Sequence, residues 1–70
     1  MITVQTVLKA QAERLYRHLE NRTQAWFEAE LLLGYVLKQS RSFLVAHDDK
    51  TVSPSQRKAF TDLVDRRLKE

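Results

Sequence analysis

Ser42, His47 and Asp48 supply the residue types of a hydrolase triad within one short stretch of this 70-residue chain. Such a triad needs its serine raised on a sharp strand-to-helix elbow, and no Gly-x-Ser-x-Gly surrounds Ser42, so the three read as polar surface. Glu28 and Glu30 form a close acidic pair within the second helical segment. Two positions apart on a helix, they point about 200° from one another and cannot act as a carboxylate dyad. His18 and His47 fall in separate segments with no partner at zinc-ligand spacing, and there is no cysteine. The sole glycine, Gly34, excludes a glycine-rich phosphate loop. No catalytic, cofactor-binding or metal-binding residue is therefore assigned.

Size and composition narrow the classes further. A chain this short makes one domain, burying only about 60% of the surface its unfolded form exposes, with little spare core for a catalytic cavity. The lack of cysteine fits a reducing compartment. The start, MITVQTVLKAQ, has neither the basic opening nor the apolar run of a secretory signal, and no window approaches the ~20 apolar residues of a membrane span. A soluble, cytoplasmic protein is expected, with no membrane partner. Twelve Lys and Arg exceed nine Asp and Glu, but the signs are interleaved, giving a mildly basic surface and no cationic stripe. Arg14-Tyr16-Arg17 and Arg41-Phe43 have the composition to stack on nucleic acid. The last helical segment, however, mixes its arginines with aspartates that repel phosphate, so nucleic acid is not the expected partner.

The elements that must position these residues are helical, because no segment alternates as a strand does and Ala, Leu, Glu, Gln, Lys and Arg dominate. An all-α bundle of four to five helices is predicted. The first helix is expected over about Val4 to Leu19, with Thr3 as N-cap and Ile2 stapling Val7. The second is expected from about Gln24 to Lys38, capped by Asn21 or Thr23. It places Ala25, Trp26, Ala29, Leu32, Leu33, Val36 and Leu37 on one arc and Phe27, Leu31 and Tyr35 on the other, so it should be central and packed on more than one side. Gly34 costs this helix about 1 kcal/mol relative to alanine, and close approach of a neighbouring helix is its expected reason. Ser40 caps a short turn through Phe43, Leu44, Val45 and Ala46; Arg41, in its first turn, needs a carboxylate such as Glu28 or Glu30. Ser53-Pro54-Ser55-Gln56 is a capping box that opens the last helix, which turns Ala59, Phe60, Leu63, Val64 and Leu68 inward. The expected core is Leu15, Leu32, Leu33, Val36, Phe60, Leu63 and Val64.

One further pattern cuts across these elements. Ala29 to Leu37 (AELLLGYVL), then Ser40-Arg41 with Leu44 and Ala46-His47, then Val52-Ser53-Pro54 and Leu63-Val64 with Arg66-Arg67, resembles the N-terminal domain of the release-factor glutamine methyltransferases, the HemK/PrmC family. The likeness runs from about Glu28 to Arg67. The family usually opens its second helix with Ser-Pro and often closes it with glycine, where this chain has Gln24-Ala25 and Lys38.

The resemblance implies an enzyme that moves a methyl group from S-adenosylmethionine to the glutamine amide of the Gly-Gly-Gln motif in class 1 peptide release factors. In that family the chemistry belongs to a C-terminal domain with a glycine-rich cofactor loop and an Asn-Pro-Pro-Tyr motif, neither of which this sequence contains. Residues 1–70 are then the helical substrate-recognition domain, inactive alone, with a catalytic domain expected beyond Glu70. Arg41, Arg66 and Arg67 are the partner-binding candidates, chosen because core faces are spent on the bundle and arginine offers a planar fork of donors. The alternative is a free-standing helical module that binds protein or nucleic acid.

Overall fold

The computed structural model describes residues 2–69, which form four α-helices: α1 (Val4–Leu19), α2 (Arg22–Leu37), α3 (Arg41–Ala46) and α4 (Pro54–Lys69). Among the described residues there is no strand, only an isolated antiparallel bridge between Thr3 and Thr51. The chain adopts the all-α bundle that its sequence predicts.

Each helix starts where a side chain can accept from an orphan backbone N–H. Thr3 Oγ1 accepts from Thr6 N–H at 3.3 Å, and Ser40 Oγ from Phe43 N–H at 3.1 Å. Asn21 caps α2, its Oδ1 lying 2.9 Å from the Gln24 nitrogen, so that helix begins earlier than the expected Gln24. The capping box forms in both directions: Gln56 N–H donates to Ser53 Oγ at 3.1 Å and Ser53 N–H to Gln56 Oε1 at 3.0 Å.

The segment from His47 to Val52 does more than connect α3 to α4. Val4 N–H donates to the Lys50 carbonyl at 2.8 Å and Gln5 N–H to the Asp48 carbonyl at 2.9 Å. Val52 N–H returns a bond to the Ile2 carbonyl at 2.8 Å, and Val52 is itself buried. The loop thereby satisfies the first turn of α1, which the Thr3 side chain alone could not do.

Packing centres on α2, which touches each of the other helices. Val4, Leu15, Leu33, Leu44, Phe60 and Val64 are the largest fully buried side chains. Of the expected core, Leu32 and Val36 are only half-buried against this cluster. Leu63 is also half-buried but lines an open groove, and Ala59 is exposed. The larger correction concerns the second stripe of α2. Phe27, Leu31 and Tyr35 are 41%, 48% and 77% exposed, and Trp26 on the other arc is also exposed. Three partners, one of them a helix of only 6 residues, cover one side of α2 and leave the other open.

Gly34 answers to a different neighbour from the one expected. A β-carbon there would lie 2.7 Å from the carbonyl oxygen of Gln39, backbone of the chain turning away from the same helix, and 4.0 Å from Leu44 Cδ1. Lys38 turns the chain with φ 57° and ψ 44°, and Gln39 N–H then donates to the Gly34 carbonyl at 3.0 Å, the six-to-one bond of a Schellman turn. Lysine holds a left-handed conformation that costs a residue with a β-carbon about 1–2 kcal/mol.

Opposite outcomes are expected from two changes in this turn. Gly34→Ala should destabilise the domain by about 1–3 kcal/mol, overcoming the ~1 kcal/mol gain in helix propensity, because backbone must move. Lys38→Gly should stabilise it by about 1 kcal/mol. Urea midpoints measure both, and a stabilised Gly34→Ala variant would contradict the tight turn. Leu33→Ala, at a fully buried position, should cost about 2–5 kcal/mol, enough to unfold most of a domain this small.

Candidate functional site

Two of the three candidate arginines are already engaged within the domain. Arg41 donates from Nε and Nη2 to Glu30 Oε1, both at 3.1 Å, and its guanidinium lies 4.3 Å from the centre of the Phe27 ring. Glu30 is the one buried charged residue among those described, at 3% exposure, so Arg41 neutralises a carboxylate that water scarcely reaches. Arg67 forms a parallel pair with Glu28, Nε to Oε2 at 2.9 Å and Nη2 to Oε1 at 3.1 Å, joining α4 to α2. Arg66 is exposed and makes no ion pair among the described residues.

A fourth arginine, read in the sequence only as a basic neighbour of Tyr16, completes the pattern. Arg14 Nη2 lies 2.6 Å from Asp65 Oδ1, tying α1 to α4, and its Nη1 donates to Gln11 at 2.9 Å. Arg14, Arg41 and Arg67 thus each pin one helix to another. Asp65 is one of the aspartates mixed with arginines along α4; position on a face shared by two helices, which composition does not reveal, makes it a partner.

The remaining chemical candidates separate. Ser42 and Asp48 are exposed, and the His47 ring stacks on Phe43 with centroids 4.5 Å apart. Glu28 and Glu30 each face their own arginine, as their angular separation on the helix requires. No group of three His, Asp or Glu able to hold a metal exists among the described residues, and no helix is long and apolar enough to cross a membrane. The aromatic rings whose composition suits stacking on bases have cations of this chain against them: Arg22 lies 4.3 Å from the centre of Tyr16, and Lys50 5.2 Å from that of Phe43.

The fold leaves open a groove of about 840 Å³ between α2 and α4, and a larger one of about 980 Å³ between α1 and α2, lined by Tyr16, Trp26 and Phe27. Leu31, Tyr35, Ala59 and Leu63 line the first, with Lys38, Arg41 and Arg66 at its edge. Glu28 pairs with Arg67 while Leu37 and Gln56 line a common smaller cleft, so α2 and α4 run antiparallel along it.

Because Arg41 answers a buried acid, Arg41→Ala should lower stability by about 1–3 kcal/mol. Adding Glu30→Leu should recover most of that loss, since the uncompensated carboxylate goes too. A double-mutant cycle in urea measures the coupling; full additivity of the two changes would dismiss the pair as a structural contact.

No curated protein sequence and no solved structure gives a significant match. The PrmC N-terminal domain family matches residues 7–70, nearly the whole chain. This chain belongs to the PrmC N-terminal domain family, the helical N-terminal domain of PrmC-like methyltransferases.

Proposed function

We propose that this domain binds a class 1 peptide release factor in the cytoplasm and holds the glutamine of its Gly-Gly-Gln motif within reach of a methyltransferase domain. The observation that carries this reading is the family match over residues 7–70. Exposed apolar and cationic groups on a helical bundle accord with a binding role.

S-adenosylmethionine is the methyl donor this reading implies, and the residues present do not fit it. Nucleoside cofactors are held where backbone approaches closely, commonly at glycine-rich turns. The one glycine here packs against the Gln39 carbonyl inside a helix end. The cofactor is therefore assigned to another domain, and this domain's contribution is substrate capture.

Binding energy gained far from the reacting atoms holds the glutamine near the methyl donor. Removing the domain from the full-length enzyme should raise the KM for the release factor by about tenfold or more while leaving kcat within a few-fold. Steady-state kinetics checks this, and a collapse of kcat at unchanged KM would assign the domain to the chemical step instead. Calorimetry should detect no S-adenosylmethionine binding to residues 1–70; micromolar affinity would contradict the division of labour.

A further inference from the structure

We infer that the groove between α2 and α4 receives an amphipathic helix of the partner protein, seated by its apolar face and flanked by carboxylates that meet Lys38 and Arg66. This rests on the release-factor reading and adds to it a surface and the chemistry of the contact.

Spacing selects a helix. Leu31 and Tyr35 stand four residues apart on α2, and Ala59 and Leu63 four apart on α4, so two antiparallel rows of apolar groups repeat at about one helical turn, roughly 5.4–6 Å. Ridges of that pitch accept the ridges of a third helix. An extended segment would bring unpaired backbone N–H and C=O groups against two helices whose own backbone bonds are internal, whereas a helix satisfies its backbone before it docks.

Charge selects the flanks. Lys38 and Arg66 make no ion pair among the described residues, and Arg41 is matched by Glu30. Among the described residues Asp62 is the one acid on the groove without an ion pair, so two unpaired cations there face one unpaired anion. Carboxylates on the incoming helix gain from that balance, and lysines or arginines lose. Lys38 stands in a left-handed conformation, φ 57°, that glycine adopts at lower cost. Its side chain, not its backbone preference, suits the place.

The test uses the 70-residue chain, titrated calorimetrically with a purified class 1 release factor at low and high salt. Leu31→Ser with Tyr35→Ala removes exposed groups and should weaken binding about tenfold to a hundredfold at unchanged melting temperature. Lys38→Gly should raise the melting temperature yet weaken binding by a few-fold, with less dependence on salt. Val45→Ser, on α3 and 67% exposed, should change neither. Wild-type binding that both groove variants retain in full would overturn the groove while leaving the release-factor reading intact. Failure of the wild-type chain to bind would remove that reading and the inference with it. Sedimentation that shows a dimer, returned to monomer by Leu31→Ser with Tyr35→Ala, would give the groove to a second copy and overturn the inference.

Discussion

The structure depends on a mismatch between one helix and its neighbours: α2 carries apolar side chains around its whole circumference, and α1, α3 and α4 cover only part of it. Helices α1, α3 and α4 bury Ala25, Ala29 and Leu33 but stop short of Phe27, Leu31 and Tyr35. A large protein would surround such a helix. In a domain of this size the uncovered side becomes surface, and exposed apolar groups rimmed by charge are what binding surfaces are made of.

With so small a core, polar contacts take on the work of fixing how the helices lie. Arginine suits that work because its fork grips a carboxylate in a defined plane. Arg14 with Asp65, Arg67 with Glu28 and Arg41 with Glu30 link α1 to α4, α4 to α2 and α3 to α2. Partial exposure of Arg14 and Asp65 limits that pair to roughly 1 kcal/mol or less. Around Glu30 the balance differs, since a buried carboxylate without its arginine would retain its desolvation cost. Of the cations that line the groove between α2 and α4, the same pairs take Arg41 and leave Arg66 and Lys38 to a partner.

Local features were legible in the sequence. Helix α1, the Ser40 cap, the Ser53–Gln56 capping box and the need of Arg41 for a carboxylate all depend on residues close in sequence or on helical angle. The fold class followed from them, and the order of AELLLGYVL, Ser40-Arg41 and Ser53-Pro54 pointed to the family now matched over residues 7–70. Long-range facts were not legible. Nothing in His47 to Val52 shows that its carbonyls close the first turn of α1, and nothing in Gly34 shows that Gln39 lies against it. The stripe of Phe27, Leu31 and Tyr35 was legible as apolar but not as exposed, because periodicity states which side chains share a face and only packing states what covers it.

The central claim is that the side of α2 left uncovered by this fold is the side used for binding. Chemical-shift mapping of the uniformly ¹⁵N-labelled chain, titrated with a class 1 release factor, tests it most directly. The amides most perturbed should lie in 27–38, from α2 into the turn that ends it, and in 59–66 of α4, with the outward face of α1 unchanged. Perturbations confined to α1 and the 47–52 loop, with Leu31, Tyr35 and Leu63 unmoved at saturation, would contradict it.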